Sequence, residues 1–389
     1  MNQQFDVLVV GGGVVGLTAA LAMAARNYTV AVIDAGALKI ETSAVDLRVY
    51  AINKASQNLL DQLDVWRRLD KARISPYDKM RVWDGVNGAH IDFDSRAIAA
   101  QNLGSIIEES VLKQALLEKI LAESTISLFP YSSVDEVSSL EQGVRISSQN
   151  VVWEGRLLMI ADGANSPTRQ KLNVALTTWP YNQQALIATV NTEKPHQHTA
   201  YQVFNPDGPL AFLPLSHPNQ CSIVWSTQPE RAHSLMALNE VEFNVALSQA
   251  FAQHLGEVHL ASVRHQFPLQ MRHVQQYTGT NWLLLGDAAH TIHPLAGLGL
   301  NVGLADIVCW LRCLDVSNGE LFSKKSLGSY QRERKHAVWQ IILLMEGFKH
   351  LFGSSFTPIT ALRGLGLRLC NEITPLKRLF IQHAAGKGL

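Results

Sequence analysis

An α/β fold with an antiparallel insertion and a C-terminal helical segment is predicted by three features of the chain. A short β-branched run, Phe5 to Val10, ends in Gly11-Gly12-Gly13-Val14-Val15-Gly16; next come an alanine- and leucine-rich helix over 17–26 and a second strand over 29–33, closed by Asp34. Two later apolar strands, at 157–160 and 282–285, again run into turns that pair aspartate with glycine. Residues 176–275 change character, with strands at 185–190, 200–204, 221–225 and 258–264 separated by Pro, Asn and Gly.

The opening segment has a mechanical reading at each position. A continuous apolar run suits a strand buried on both faces. Gly11 permits the tight turn, Gly13 lets a pyrophosphate approach the backbone, and Gly16 lets helix and strand pack closely. The helix start supplies unpaired N–H groups and the positive end of a dipole. Asp34 is placed to accept hydrogen bonds from a ribose. Gly11, Gly13, Val15, Gly16 and Asp34 are therefore candidate dinucleotide-binding positions in a Rossmann-type unit. The predicted organisation is a discontinuous cofactor domain over 1–74, 101–175 and 276–331, a substrate domain over 75–100 and 176–275, and C-terminal helices over 332–389.

Composition narrows the function. The 389 residues are 47% hydrophobic and 17% charged, which excludes a disordered or collagen-like chain. Thirty-three basic residues balance 33 acidic ones, so no basic excess argues for nucleic-acid binding. The 4 cysteines are too few and too scattered for a disulfide scaffold, and they indicate a reducing compartment. Cys309 and Cys313 share a helix face but have no further ligands close by in sequence, so no metal is expected. The uncharged stretch 7–25 is neither a signal peptide, since no Lys or Arg precedes it, nor a membrane span, since Gly11-Gly12-Gly13 interrupts it.

The later turns distinguish between dinucleotides. Asp162-Gly163-Ala164-Asn165-Ser166 succeeds one strand, and Gly286-Asp287-Ala288-Ala289-His290 succeeds another, before Ala296 to Asn301 opens a helix. Repeated backbone approaches so far apart in sequence suit a long extended cofactor touched along its length, and FAD fits better than a nicotinamide held by the first unit alone.

With these motifs in this order, the chain resembles the aromatic hydroxylases among the flavin-dependent monooxygenases, which share the para-hydroxybenzoate hydroxylase fold. Within them it looks most like the ubiquinone-biosynthesis hydroxylases. The resemblance is carried by Asp46 to Ile52 (DLRVYAI), Asp162 to Ser166, Phe212-Leu213-Pro214-Leu215 and Gly286 to Gly303 (GDAAHTIHPLAGLGLNVG), with weaker echoes at Val65-Trp66, Pro76-Tyr77 and Gly208-Pro209.

The resemblance implies roles residue by residue. Arg48 would lie against the adenosine-diphosphate half of FAD, Asp162 near the pyrophosphate, and Asp287 at the ribityl or pyrophosphate region. The helix opened by Gly299, Leu300 and Asn301 would aim its dipole at the flavin N1/C2 carbonyl edge. Leu298 departs from the glutamine usual in the family, and Asp34 stands where many relatives have glutamate. The implied activity is hydroxylation of the ring of a polyprenylated ubiquinone precursor: NAD(P)H reduces FAD, and oxygen adds at flavin C4a as a hydroperoxide that delivers the hydroxyl. Hydroxylation of a soluble phenol and a non-catalytic flavin-binding scaffold in a biosynthetic complex are the alternatives. The halogenase signature Trp-x-Trp-x-Ile does not occur in the chain.

No side chain stands out as obligatory for catalysis. His290 and His293 beside the Gly-Asp turn read as structural, and Tyr181, Tyr201 and Tyr277 are phenol-contact candidates among which the sequence does not choose. The tail over 341–389 carries more Lys and Arg (Lys349, Arg363, Arg368, Lys377, Arg378, Lys387) than acids (Glu346, Glu372). Leu343, Leu344, Phe348, Leu351 and Phe352 recur there at helical spacing. An amphipathic helix packed on the core is the first reading, and peripheral contact with the inner face of a membrane by a cytoplasmic protein is the second. A homo-oligomer or a ubiquinone-biosynthesis complex is the expected assembly.

Overall fold

The computed structural model describes residues 2–39, 46–149, 151–292, 298–321, 323–353, 363–364, 366 and 371–372. Its central sheet runs Thr278–Gly279, Trp282–Leu284, Val151–Ile160, Asn2–Val10, Val30–Ile33, Ile126–Phe129 across its width. From Trp282–Leu284 to Ile126–Phe129 every neighbour is parallel. Val7, Leu8, Val9, Leu157, Leu158 and Met159 are fully enclosed, as expected of strands covered on both faces. Register sets where the turns emerge. Val10 pairs with Ile160, and Ile160 pairs with Leu284. The three turns, widely separated in sequence, therefore leave the same edge of the sheet side by side, at the carboxyl ends where open α/β sheets bind ligands.

The helix Val14–Ala24 starts at the end of the glycine run, earlier than predicted, and is buried nearly all round. Its alanines let it lie close to the sheet and to the helices Glu109–Leu121 and Leu298–Val316.

A second sheet, of nine strands among the described residues, covers the turns. Its main run, His265–Val274, Leu176–Thr192, Gln220–Thr227, Gly208–Pro214, Thr199–Asn205, is antiparallel, and Lys79–Asp84 adds in parallel to the last of these. Alternation assigns its two faces. Leu186, Leu210, Phe212, Ile223 and Trp225 fill one hydrophobic cluster, completed by Phe243, Leu247 and Phe251. Ile187, Ala211, Leu213, Ser222 and Val224 look the other way, toward the glycine turns. Each fully buried side chain of this size contributes about 1.5–3 kcal/mol.

Three expectations are corrected. The single strand over 258–264 stops at Leu260, because Arg264 turns away to donate to the carbonyls of Leu235 (2.8 Å) and Leu238 (2.7 Å) at the end of the helix Pro229–Ala237; the chain resumes as the strand from His265. The region between the predicted strands holds that helix and Glu240–Ala250, whose Asn239 and Glu242 form a reciprocal capping box legible in the sequence. The apolar stripe in the tail is also split. Phe352 is buried with its ring stacked 4.1 Å from Phe204, and Phe348 packs against the core, which leaves Leu343, Leu344 and Leu351 outside on the helix Lys324–Gly353. Most of the tail beyond this helix lies outside the described residues. Among the described residues, no helix is long and apolar enough to cross a membrane.

Candidate functional site: a cavity between the glycine turns and the second sheet

A cavity of about 590 Å³ lies between the two sheets. Its floor is formed by Gly13 and Val15 of the first turn, Gly163 of the second and Gly286 and Asp287 of the third. Its roof is the inward face of the second sheet.

Gly11 has a φ of +112°, and a Cβ there would meet the Ala161 carbonyl oxygen at 2.3 Å. A Cβ on Gly16 would stand 1.9 Å from the Gly11 carbonyl oxygen, so helix and turn touch there without space for a side chain. Gly13 differs: among the described residues, its chain neighbours aside, no atom lies within 4 Å of where its Cβ would be. It is the N-cap of the helix Val14–Ala24 and offers no side-chain cap, so the first-turn N–H groups look for an acceptor outside the helix. Val15 packs on Gly286 and would touch a side chain at Gly303, joining the first turn to the third. Asp34 accepts from the N–H groups of Gly12 (2.5 Å) and Gly36 (2.7 Å), which holds the end of the second strand against the glycine loop.

The second and third turns are tied by Arg169. Its buried guanidinium donates to the carbonyls of Ala288 (2.8 Å) and Ala164 (3.1 Å). One Asp162 carboxylate oxygen accepts from the Thr168 N–H at 3.1 Å. The other is buried without a partner among the described residues.

Behind the third turn lies a polar knot that the sequence reading missed. Asp306 is fully buried on the helix Leu298–Val316 and accepts from the Gly286 N–H (2.8 Å) and Arg334 (2.6 Å), with His290 Nε2 at 2.8 Å. Burial alone would raise the Asp306 carboxyl, but His290, Arg334 and the Gly286 N–H outweigh it and hold it below the usual carboxylate range. His290 is thus a structural residue of the turn. Asp287, by contrast, opens into the cavity, where the surrounding protein raises its pKa against the opposing pull of His290, Arg48 and Arg272.

At one side of the cavity Arg48 donates to Glu109 at 3.1 Å, and the Tyr50 hydroxyl donates to the same carboxylate oxygen at 3.0 Å. Burial, and then the Glu109 charge, push the Tyr50 phenol far above its ordinary range. Burial would lower the pKa of Arg48, but Tyr50 and Glu109 outweigh it and raise it. Gly299 and Leu300 line the cavity from the first turn of their helix. Asn301 points elsewhere: it accepts from the Asn53 N–H (3.0 Å) and donates to the Ala51 carbonyl (2.7 Å), fastening the helix to the strand Val49–Asn53.

Tyr181, Tyr201 and Tyr277 do not line the cavity; all three are buried, Tyr201 beside Phe251 and His254, Tyr277 beside His290 and Tyr330. Tyr50 is the tyrosine that does, and its place in the DLRVYAI run was the available signal. His293 and the Leu298 side chain lie outside the described residues. Folding also brings Glu333 to Cys309 and Cys313, their ligand atoms within 4.8 Å of one another. Sequence proximity could not show this third group, which sits on the next helix; its carboxylate is engaged by Arg312.

These features fit FAD: an uncapped helix start, space where Gly13 has no side chain, and a buried Asp162 oxygen still seeking a donor. Comparison with known proteins agrees. Residues 4–344 match the FAD binding domain family. The 3-demethoxyubiquinol 3-hydroxylase of Escherichia coli (strain K12) is 34% identical over 396 residues, covering 99% of each chain. The mitochondrial ubiquinone biosynthesis monooxygenase COQ6 of Drosophila melanogaster is 31% identical, over 99% of this chain and 91% of that one. Among solved structures, p-nitrophenol 4-monooxygenase PnpA from Pseudomonas putida DLL-E4 superposes with a TM-score of 0.80 over 99% of both chains at 17% identity, a likeness of fold.

Proposed function

Because the chain belongs to the FAD-dependent monooxygenases, in the family of the ubiquinone-biosynthesis hydroxylases, we propose that it hydroxylates the aromatic ring of a polyprenylated ubiquinone precursor, with NAD(P)H and oxygen as co-substrates. The observation that carries this reading is the cavity itself, which joins a backbone cradle on one side to an apolar roof on the other. Bound FAD supplies hydride acceptance and oxygen activation. The chain supplies the rest. Gly11, Gly13, Val15 and Gly16 would present the helix start to the pyrophosphate, with Asp34 toward the adenosine ribose. Arg48, Asp162 and Asp287 would fix the length of the cofactor, and Gly299, Leu300 and the Asn301 backbone would turn a helix N-terminus toward the flavin. Ile187, Ala211, Leu213 and Val224 exclude water from the ring to be oxidised.

A precursor with a long prenyl chain cannot fit whole beside a cofactor in about 590 Å³, so the chain must leave through the cavity mouth. Exposed Leu343, Leu344 and Leu351 would suit delivery from an anionic membrane surface. Purified protein should oxidise NAD(P)H faster when a prenylated phenol is added, and should yield a product heavier by one oxygen in mass spectrometry. Equal stimulation by unprenylated phenols would transfer the assignment to a soluble substrate. Liposome sedimentation tests the membrane contact, which fails if anionic vesicles leave the protein in the supernatant.

A further inference from the structure

The cavity wall carries a cation that the cofactor cradle does not use. Arg272 is half-buried on the strand His265–Val274 and lines the cavity. Its side chain donates to the neutral Gln270 Oε1 at 2.8 Å, and no carboxylate among the described residues lies within ion-pair distance of it. Each other charged group on the lining is differently placed. Arg48 and Glu109 neutralise each other, and Asp287 feels Arg272 only from a distance. Directly opposite Arg272 in the strand ladder stands Thr291, which also lines the cavity. Its hydroxyl is buried with no partner among the described residues. A guanidinium with no counter-charge and, beside it, a buried hydroxyl with no partner among the described residues favour an acceptor in the cavity.

We propose that Arg272 and Thr291 form an oxyanion subsite that binds the ionised phenol oxygen of the aromatic substrate. Gln270 takes one N–H of the guanidinium, and the remaining N–H groups together with the Thr291 hydroxyl can donate to an anionic oxygen in the cavity. The adjoining lining, Leu269, Ile292 and Ile187, is apolar and suits the ring that carries such an oxygen. Holding the phenol as its anion makes the ring electron-rich, the state an electrophilic hydroxylation needs. Arg272 and Thr291 would thus bind and orient substrate, and would leave cofactor retention untouched.

This inference rests on the reading of the chain as an aromatic hydroxylase, and the experiment separates the two. A nitrophenol, whose anion alone absorbs visible light, is titrated with pH in the presence of the FAD-loaded protein and followed by difference spectroscopy. Wild type is expected to bind the anion at least about tenfold more tightly than the neutral phenol. Arg272→Gln should abolish that preference, Arg272→Lys should restore part of it, and Thr291→Val should weaken it about threefold. FAD content and the rate of flavin reduction by NAD(P)H without substrate should not change. If Arg272→Gln loses FAD, or leaves phenolate binding intact while raising the KM for NAD(P)H, the cation serves a dinucleotide and the subsite is refuted. Should Arg272→Gln fold poorly, Thr291→Val carries the same test. If wild type neither binds the phenol nor oxidises NAD(P)H faster with any phenol, the hydroxylase reading has failed and this inference with it.

Discussion

The floor of the cavity, where Gly13, Gly163 and Gly286 leave the backbone bare, and the roof, where Ile187, Ala211 and Val224 present side chains, differ in what a substitution removes. On the floor the backbone itself lines the space, so a side chain added at Gly13 or Gly163 would take up cavity volume, while the turn behind it is held by close backbone contacts of Gly11 and Gly16. On the roof the strand pairing is indifferent to side-chain size, so a substitution there changes the shape of the space and little else. Under the proposed function, cofactor recognition would be rigid and substrate recognition adjustable on one scaffold.

The sharpest way to break this contrast is within the first glycine turn. Gly16→Ala places a Cβ against the Gly11 carbonyl and should lower the melting temperature sharply, since overpacking costs about 1–3 kcal/mol and here the obstacle is backbone. Gly13→Ala meets no other side chain or turn among the described residues and should keep its melting temperature while losing FAD, read from flavin absorbance per protein. If the two variants behaved alike, Gly13 would have no place in the cradle.

Asp306→Asn attacks the floor from behind. It leaves Arg334 buried without its counter-charge and should cost about 3–5 kcal/mol in urea unfolding. The lowered Asp306 pKa gives the sign with pH. Its contribution is present above the pKa the group has when unfolded, and is lost as pH falls through the lower folded value.

His273 lies on the strand that joins floor to roof, and its Nε2 is buried and unpartnered among the described residues. Burial, helped by His290 and Lys335, lowers its pKa from 6.5 to about 4. The unfolded chain therefore takes up a proton that the folded one refuses, and stability should fall by up to about 3 kcal/mol as pH drops through that window. His273→Phe should remove the slope, measured by denaturation at several pH values, and its stability at neutral pH should change little.

The roof predicts milder effects. Val224→Phe should raise the KM for the aromatic substrate about tenfold with FAD content unchanged; a loss of flavin instead would place the roof in the cofactor site. Smallest of all, Leu343→Ser on the exposed helix face should alter stability by no more than about 0.5 kcal/mol, checked by thermal melting.

Floor and roof were not equally legible. The strand, turn and helix of the first glycine motif are encoded locally, so Gly11, Gly16 and the first two strands fall close to where the sequence puts them. The roof was read only in part. His265–Val274 carries a proline and polar residues that hide its alternation, and Arg264, which ends the preceding strand, does so through carbonyls nearly thirty residues away. Asp306, Arg334 and Glu109 were missed because a charged residue on a helix looks the same in sequence whether it meets solvent or a buried partner.

Local sequence was enough to establish the α/β class, the first glycine turn and the likeness to the hydroxylase family, because glycine turns and strand ends are set by neighbours along the chain. It took tertiary packing to make Asn301 fasten a helix, to draw His290 into a buried knot, and to bring Tyr50, Arg272 and Thr291 to one cavity. Those outcomes depend on strand register and helix packing between residues far apart in sequence, and no local pattern carries that information.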